Sequence, residues 1–377
     1  MSQSRAIILA YVACWAELDA SEIAGDQLTH VNYAFACIKD GFVVNFMAAN
    51  FDRLSAADPA LAALGYQAAC VKEENTLGLV RTLKTQYPHL KVLISIGGWA
   101  AEGFSDAALT PDSRARFADS ALDFMLRHGF DGIDLDWEYP CSALGGIKAR
   151  PEDRENFTAL LRLLRERVDA RSRADGRSGD SRYLLSIATG AAPSHLIGVD
   201  VAAIAPELDF IGLMTYDLYN GWSTRAGHHA NLFCSELDPN SDSGDKAVRW
   251  FVEAGAPASK LLLGAAFYGR GMNGVGPENQ GLLQPSTEGS NFTRTYDEIL
   301  ALLRGPSQWQ RHWDERAQAA FLHDGTSFLS YEDEASLRSK ARYVREHGLG
   351  GAMFWEYSNN RGGELLRALA AGLRENS

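Results

Sequence analysis

The sequence predicts an α/β fold, a (β/α)8 TIM barrel with a small α+β subdomain inserted between the seventh strand and the seventh helix. Two observations support this prediction. Eight short, almost continuously apolar segments alternate with helix-forming segments, as parallel strands that are buried on both faces do. Polar and aromatic residues then follow several of these segments directly, and barrels of this kind build their active sites at the C-terminal ends of their strands.

The eight candidate strands follow one another along the whole chain. They are Ala6–Val12, Leu28–Ala36, Lys91–Ile96, Gly132–Trp137, Tyr183–Ala188, Leu208–Met214, Lys260–Phe267 and Gly351–Trp355. An open, doubly wound sheet is the alternative arrangement. It usually has fewer strands, and no G-x-G-x-x-G loop follows the first segment.

The segments between the strands carry helix signals. Thr110 and Pro111 are typical of a helix start, and Gly129 is typical of a helix end. The apolar residues of the next helical segment recur on one face. We predict helices over Pro111–Arg127, Pro151–Ala170, Ala335–Glu346 and Leu365–Leu373.

The interval 271–328 breaks this alternation. A structureless loop of that length is uncommon in a compact domain. We therefore predict an inserted subdomain on the C-terminal rim of the barrel, with a short helix near Tyr296–Leu303 and strands near Ala319–His323 and Ser327–Ser330. The predicted domains are a barrel of residues 1–270 and 329–377 and an insertion of residues 271–328.

Composition excludes several classes of partner. The chain has 377 residues and a formal net charge of -12, which argues against nucleic acid or an anionic membrane as the main partner. No apolar run approaches the roughly 20 residues that span a bilayer. The chain is expected to be a monomer.

The five cysteines are widely spaced and form no C-x-x-C pair, so we expect mostly free thiols.

The apolar N-terminal segment has two interpretations. It follows Arg5 and could be a short signal peptide, or it could be a buried first strand. A single arginine is a weak positive region, and no clear small-residue cleavage site follows. We therefore interpret Ala6–Val12 as a strand, and the localisation is left open.

The segment 131–140 carries four carboxylates, Asp131, Asp134, Asp136 and Glu138. The last three recur at every second residue, and alternate side chains of a strand share one face. Packing three acids together in an apolar setting is costly unless they share protons and hydrogen bonds. A fold that accepts this cost usually uses it for chemistry. Asp131 does not follow this alternation, and we expect it to have a structural role as a capping residue or in an ion pair.

Metal binding is the alternative use of such residues. The acidic segment could form an oxygen cage for a divalent cation, but bulky residues separate the acids and no second strand end is acidic. His228 and His229 look like a metal-binding pair, yet adjacent residues seldom chelate one ion, and we expect a loop or packing role. We predict no metal and no cofactor.

Further strand ends complete the pattern. They read Ser95-Ile-Gly-Gly-Trp99, Met214-Thr-Tyr-Asp217, Phe267-Tyr-Gly-Arg270 and Gly350-Gly-Ala-Met-Phe-Trp355, and the second strand reads Leu28-Thr-His-Val-Asn-Tyr-Ala-Phe-Ala36. With the acidic segment, and in this order over nearly the whole chain, they resemble glycoside hydrolase family 18, the chitinase family. The insertion looks like that of the subgroup with deep, tunnel-like clefts.

The resemblance implies a retaining mechanism in which the substrate's N-acetyl oxygen replaces an enzyme nucleophile. The implied catalytic residues are Glu138, Asp136, Asp134 and Tyr216. Glu138 would be the general acid, with its pKa raised by the neighbouring Asp136. Asp136 would orient the acetamido N–H, Asp134 would share a proton with Asp136, and Tyr216 would donate to the acetamido oxygen. We expect the three acids to titrate together.

The resemblance also implies a set of substrate-binding residues. They are Tyr11, Phe35, Ser95, Gly98, Trp99, Met214, Asp217, Trp222, Tyr268, Arg270 and Trp355. Tyr11 and Ser95 would also donate hydrogen bonds to Asp134. Trp355 would be the floor under the reacting sugar, with Trp99 and Trp222 flanking it, whereas Trp137 points away from Glu138 by strand alternation and is expected to pack in the interior.

The leading functional hypothesis is a chitinase that cuts β-1,4-linked N-acetylglucosamine polymers, with action outside the cell expected from the substrate. An endo-β-N-acetylglucosaminidase acting on N-glycans or peptidoglycan-like polymers is the enzymatic alternative, but it typically lacks the insertion. A chitin-binding lectin of the same fold is the non-enzymatic alternative. Such lectins typically replace the acid glutamate, and Glu138 is present.

Overall fold

The computed structural model describes residues 6–286, 291–306 and 308–375. The strands in these ranges are β1 (Ile7–Ala13), β2 (His30–Lys39), β3 (Phe42–Asn45), β4 (Lys91–Gly97), β5 (Gly132–Asp136), β6 (Leu184–Gly190), β7 (Phe210–Met214), β8 (Leu261–Ala266), β9 (Tyr268–Asn273), β10 (Asn291–Thr295), β11 (Gln310–Asp314), β12 (Ala319–His323), β13 (Ser327–Tyr331) and β14 (Gly351–Trp355). The α-helices are α1 (Phe46–Ala57), α2 (Pro59–Leu64), α3 (Tyr66–Gln86), α4 (Phe104–Ala107), α5 (Pro111–His128), α6 (Asp153–Ala174), α7 (Val201–Ile204), α8 (Gly244–Glu253), α9 (Tyr296–Arg304), α10 (Glu334–Glu346) and α11 (Glu364–Arg374).

The main sheet contains every strand that the apolar segments predicted. Its order is β1–β14–β8–β7–β6–β5–β4–β2–β3, and β1 also pairs with β2. Eight of these strands form a closed parallel barrel, and β3 adds to β2 in the antiparallel sense. The predicted (β/α)8 fold class is therefore confirmed.

The described residues group into two compact units, which we treat separately. The first unit comprises Val12–Thr189 and Ser194–Ile211, and the second unit comprises the remaining described residues. In the first unit, parallel pairing places Ser95 opposite Asp134 on one side, and Ser186 opposite Asp134 on the other. Two hydroxyl groups therefore flank Asp134, the first of the three alternating acids.

Helix α5 begins and ends as the sequence predicts. Thr110 accepts a hydrogen bond from the backbone N–H of Ser113, and Pro111 is the first helical residue. Gly129 terminates the helix with a left-handed φ of 78°. Helix α6 begins at Asp153, two residues later than predicted, and its apolar face is buried as expected.

A helical excursion between β3 and α3 was not predicted. No residue of helices α1 and α2 is buried, so neither helix contributes to the interior of the fold. The buried Glu73 of α3 supports the start of α1 by accepting hydrogen bonds from the backbone N–H groups of Phe46, at 2.7 Å, and Met47, at 2.8 Å.

The second unit contains a five-stranded antiparallel sheet in the order β10–β9–β13–β12–β11. Helix α9 and strands β12 and β13 agree with the predicted helix and strands of the insertion. Strand β9, which directly follows the seventh barrel strand, and the edge strands β10 and β11 were not predicted. A cluster of buried side chains forms the core on one face of this sheet; it comprises Ala226, Met272, Val275, Leu282, Phe321 and Phe328.

An ion pair is buried between α10 and the end of β13. Lys340 contacts Glu332, and both side chains are at most 2% exposed. The Lys340 ammonium also donates to the carbonyl of Gly264 at 2.8 Å, and Glu332 accepts from the backbone N–H of Ala266 at 3.3 Å. Burial raises the pKa of Glu332 to about 7, although Lys340 opposes this shift. The pair thus holds the C-terminal end of β8.

All five cysteines are free thiols, in agreement with the interpretation from their spacing. Across the described part of the chain, no helix combines the length and the apolar character needed to cross a bilayer.

We predict that Lys340→Met lowers the free energy of unfolding by about 3–5 kcal/mol, because it leaves the Glu332 carboxylate buried without its counter-ion. Arg338→Met is the matched control on the same helix. Arg338 is exposed and pairs with Glu334 one turn away, so its loss should change the stability by less than about 1 kcal/mol. Urea unfolding of both variants measures the difference, and equal midpoints would contradict a stabilising role for the pair.

Candidate active site

The acidic segment lies at the end of β5 in the first unit. Asp134 is fully buried and Asp136 is 4% exposed, whereas Glu138, two residues beyond the strand, is half-buried. Strand alternation places Asp134 and Asp136 on one face, as the spacing predicts. Two carboxyl groups are thus enclosed, and the third reaches towards solvent.

Asp134 has its oxygens bound by hydroxyl donors. Ser95 donates to one carboxylate oxygen at 2.8 Å, and Ser186 donates to the other at 2.6 Å. The predicted bond from Ser95 is therefore present. Ser186 was not predicted, because its position opposite Asp134 depends on the register of β6 against β5.

Asp136 has a different environment. Its Oδ1 atom is buried and has no hydrogen-bond partner among the described residues. Burial raises the pKa of Asp136 well above its usual range, and the nearby charges of Glu138 and Asp134 raise it further. A carboxyl group in these surroundings can hold a proton, and its unpaired oxygen can bind a polar group of a ligand.

Glycine allows β4 to come close to the backbone of Asp136. A Cβ atom on Gly97, where φ is 122°, would lie 2.1 Å from the carbonyl oxygen of Asp136. A Cβ atom on Gly98 would lie 2.7 Å from the ring of Phe35. The backbone N–H of Gly98 donates to the Asp136 carbonyl at 2.9 Å. Trp99, the next residue, is 47% exposed.

In the second unit, Asp217 is the centre of a network of charged and polar side chains. Arg270 donates to it from Nε at 2.8 Å and from Nη2 at 2.5 Å, and the Tyr268 hydroxyl donates at 2.7 Å. The Nδ1 atom of the fully buried His229 lies 3.6 Å from the same carboxylate. Burial alone would raise the pKa of Asp217, but the hydrogen bonds from Arg270, together with the nearby His229, outweigh it and hold the pKa well below its usual range.

Asp217, Tyr268 and Arg270 thus bind one another, and their sugar contacts remain a prediction. His229 was expected only to pack or to lie in a loop, and its contact with Asp217 was missed because the approach depends on folding. The adjacent His228 instead lies 3.1 Å from Asp314. In the ranges that the structure describes, no three histidine, cysteine or acidic side chains are placed to hold a metal ion.

Two other predicted residues of the second unit, Tyr216 and Trp355, pack against Tyr268 of this network. The ring of Tyr216 is 6.3 Å from that of Tyr268, and its hydroxyl lies 3.9 Å from the sulfur of Met353. The rings of Trp355 and Tyr11 are 5.9 Å apart. Two further predicted residues differ in exposure: Met214 is buried, and Trp222 is 70% exposed.

An aromatic cluster in the first unit was only partly predicted. Trp15 is 49% exposed, and its ring lies 6.2 Å from that of Phe35 and 5.4 Å from that of Phe46. Only Phe35 was predicted as a contact. Trp15 lies two residues beyond β1, at a strand end like the other predicted residues, and this position was the available signal.

Two residues of the acidic segment have structural roles. Asp131 pairs with Lys84 at 2.8 Å and accepts from the backbone N–H of Val92 at 3.1 Å, as expected for a residue out of phase with the other acids. Trp137 is buried between Phe104, with ring centroids 5.3 Å apart, and Phe157, also at 5.3 Å. Its predicted packing role is confirmed.

Comparison with known proteins identifies relatives of this chain. Residues 7–360 match the family described as Glycosyl hydrolases family 18. Chitinase A1 of Niallia circulans is 38% identical over 308 residues, covering 77% of this chain and 44% of that protein. Chitotriosidase-1 of Mus musculus is 35% identical over 287 residues, covering 73% and 60%. The chain therefore spans about half the length of these curated relatives.

A solved structure matches over nearly all of this chain and all of the other. It is that of a glycoside hydrolase family 18 N-acetylglucosaminidase from Paenibacillus barengoltzii, with a TM-score of 0.85 and 38% identity. The match covers 98% of this chain and 100% of the other.

We predict that Asp217→Asn lowers the free energy of unfolding at pH 7 by about 1–2 kcal/mol, because Arg270 loses hydrogen bonds to a charged acceptor. The loss is limited because the side chains of Asp217 and Arg270 each keep about a third of their surface in solvent. The pKa of Asp217 is lowered in the folded state, so its contribution is present above the ordinary carboxyl pKa of about 4 and is lost as the pH falls further.

The difference in the free energy of unfolding between Asp217→Asn and the wild type should therefore become smaller below about pH 4. Unfolding midpoints measured across this range test the prediction, with Asp52→Asn as the control at an exposed carboxylate. A difference that stays constant with pH would show that the paired charge of Asp217 is not its cause.

Proposed function

The chain belongs to glycosyl hydrolases family 18, and from this membership we propose that it is a chitinase that hydrolyses β-1,4 bonds in chitin and chito-oligosaccharides with retention of configuration. The observation that carries the proposal is the environment of Asp136, which is buried, has a raised pKa and keeps one oxygen unpaired among the described residues. Perturbed acids of this kind are typical of catalytic sites.

In the first step, Glu138 donates its proton to the glycosidic oxygen while the bond between that oxygen and the anomeric carbon breaks. The acetamido oxygen of the same sugar forms a new bond to the anomeric carbon, giving an oxazolinium ion. Asp136 accepts a hydrogen bond from the acetamido N–H and, when ionised, stabilises the positive charge that develops there.

In the second step, water attacks the anomeric carbon and the bond to the acetamido oxygen breaks. Glu138, now a carboxylate, takes a proton from this water and returns to its starting state. Because the anomeric carbon is attacked twice, the product has the configuration of the substrate. The serine-bound Asp134 remains beside Asp136 and exchanges a proton with it as the charge changes.

The remaining proposed contacts follow from membership of the family. Tyr216 donates a hydrogen bond to the acetamido oxygen, which orients it for attack. Trp355 provides an apolar face for the reacting sugar, and Tyr11 packs against Trp355. Arg270 and Tyr268 are held in place by Asp217, so that they meet sugar hydroxyls with little loss of conformational entropy.

The aromatic cluster of Trp15, Phe35 and Phe46 is proposed as a further stacking surface for the polymer. Sugar rings have apolar faces, and exposed aromatic rings bind them through dispersion and desolvation. The half-exposed Trp15 is supported from below by the other two rings. The cluster therefore has the rigidity that such a surface needs.

A second candidate function is an N-acetylglucosaminidase that releases single sugars. The full-length match to the Paenibacillus barengoltzii enzyme favours it. The two functions differ in their first product. Digestion of a chitin hexasaccharide should give mainly disaccharides and larger fragments from a chitinase, and free N-acetylglucosamine from the beginning of the reaction would favour the second function.

We predict that the wild type releases the fluorophore from a fluorogenic chitobiose glycoside, and that Glu138→Gln lowers kcat by at least about 10²–10⁴-fold, because glutamine cannot donate the proton. Glu155→Gln, at an exposed carboxylate of α6, is the matched control and should keep wild-type activity. Absence of turnover by the wild type would contradict the hydrolase function, and turnover retained by Glu138→Gln would contradict the role of Glu138.

We further predict that a cellobiose glycoside with the same leaving group is not cleaved, because it lacks the acetamido oxygen that acts as the nucleophile. Parallel progress curves at equal enzyme concentration make the comparison. Efficient release from the cellobiose glycoside would contradict substrate assistance even if the chitobiose glycoside were also cleaved.

A further inference from the structure

Asp153 is a buried acid that the proposed mechanism does not use. It is the first residue of α6, and its side chain is fully buried. Its carboxyl group accepts a hydrogen bond from the Ser105 hydroxyl of α4 at 2.6 Å. It also accepts from the backbone N–H groups of Arg150, at 2.7 Å, and Cys141, at 3.4 Å. One side chain of the first unit thus links α4, the loop before α6 and the turn after β5.

The link to α4 is strengthened by Arg150. Its Nη1 atom donates to the Ser105 hydroxyl at 2.7 Å, while that hydroxyl donates to Asp153. Its Nη2 atom donates to Asp106, the next residue of α4, at 2.5 Å. The hydroxyl of Ser105 therefore has both a donor and an acceptor, and Asp153 meets a partner whose orientation is fixed.

The turn after β5 contains a backbone conformation that needs support. Cys141 has a φ of 61°, in the left-handed region that residues with a side chain seldom adopt. Its N–H donates to Asp153, and its thiol donates to the carbonyl of Pro151 at 3.4 Å. On another side of the turn, a Cβ atom on Gly198 would lie 2.1 Å from the Pro140 carbonyl oxygen. The turn is therefore fixed by hydrogen bonds and by close packing.

Glu138 lies between this turn and a second fixed residue. Trp137, directly before it, packs on Phe104 of α4 and on Phe157 of α6. The two helices that are linked through Asp153 therefore also contact the residue that precedes Glu138. With the chain fixed by the same helices before and after Glu138, its backbone has a defined position at the end of β5.

We propose that Asp153 is a positioning residue for the reaction: by holding the turn after β5, it fixes the backbone from which Glu138 reaches the glycosidic oxygen. The inference rests on the proposed function, because it concerns the proton donor of that mechanism. General-acid catalysis requires the donor to lie within hydrogen-bond reach of the atom it protonates. A displacement of about 1 Å can lower a rate about 100-fold. Loss of Asp153 therefore slows proton donation, although this buried residue makes no contact with the sugar.

Two leaving groups separate this role from a purely structural one. A sugar leaving group needs the proton of Glu138, whereas a dinitrophenolate leaves without protonation. The quantity to measure is the ratio of kcat/KM for a chitin hexasaccharide to kcat/KM for the dinitrophenyl glycoside of chitobiose. A variant that only contains less folded protein lowers both values equally and leaves their ratio unchanged.

Asp153→Ala should lower this ratio about 10-fold to 100-fold. Asp153→Asn should keep a ratio close to that of the wild type, because its amide oxygen can accept from the backbone N–H groups while its nitrogen donates to Ser105. Ser105→Ala breaks the link to α4 with a smaller loss of volume, and should lower the ratio even if Asp153→Ala does not fold. Glu155→Ala, at an exposed carboxyl group of α6, is the matched control and should leave the ratio unchanged.

The outcomes for the inference and for the proposed function differ. An active wild type with the same ratio as Ser105→Ala and any folded Asp153→Ala would overturn the inference and leave the proposed function intact. A ratio for Asp153→Asn as low as that for Asp153→Ala would also overturn it, because the hydrogen-bonded link could not then be the cause. A wild type without turnover of either substrate would overturn the proposed function, and the inference with it.

Discussion

The close approach of β4 to β5 at Gly97 is the constraint on which the acidic segment depends. Without a side chain at Gly97, the backbone of Asp136 can lie against β4, and its carboxyl group is enclosed. Enclosure supplies the main cause of its raised pKa, and the neighbouring acids add to it. Asp134 can remain in the same interior because Ser95 and Ser186 satisfy both of its oxygens.

Asp136 and Asp217 show how partners decide the behaviour of one residue type. Burial favours the protonated form of both. Asp136 has acids as its neighbours, and they act in the same direction as burial. Asp217 has Arg270 and His229, which reverse the effect of burial and keep the carboxylate ionised. The first environment suits an acid that changes charge during a reaction, and the second suits a fixed anchor.

Much of the fold could be predicted because the barrel strands are buried on both faces, and their sequences are therefore almost continuously apolar. The edge strands β10 and β11 were not predicted because their side chains are largely polar and none of them is buried, as in a loop. The candidate site also has a predictable and an unpredictable part. The acids and most of the aromatic residues were predicted from their positions at strand ends. Ser186 and His229 were missed because their contacts depend on strand register and on packing, which the sequence does not show.

The inserted sheet joins the barrel almost without a connection. A single residue, Phe267, separates the end of β8 from the start of β9, and Arg270 of β9 is bound to Asp217. The insertion is thus not an appended module on a linker. A protein engineer who wished to transplant it between barrels would have to move the Asp217 loop and the end of β8 with it. Recombination is accordingly expected to preserve these three pieces as one block.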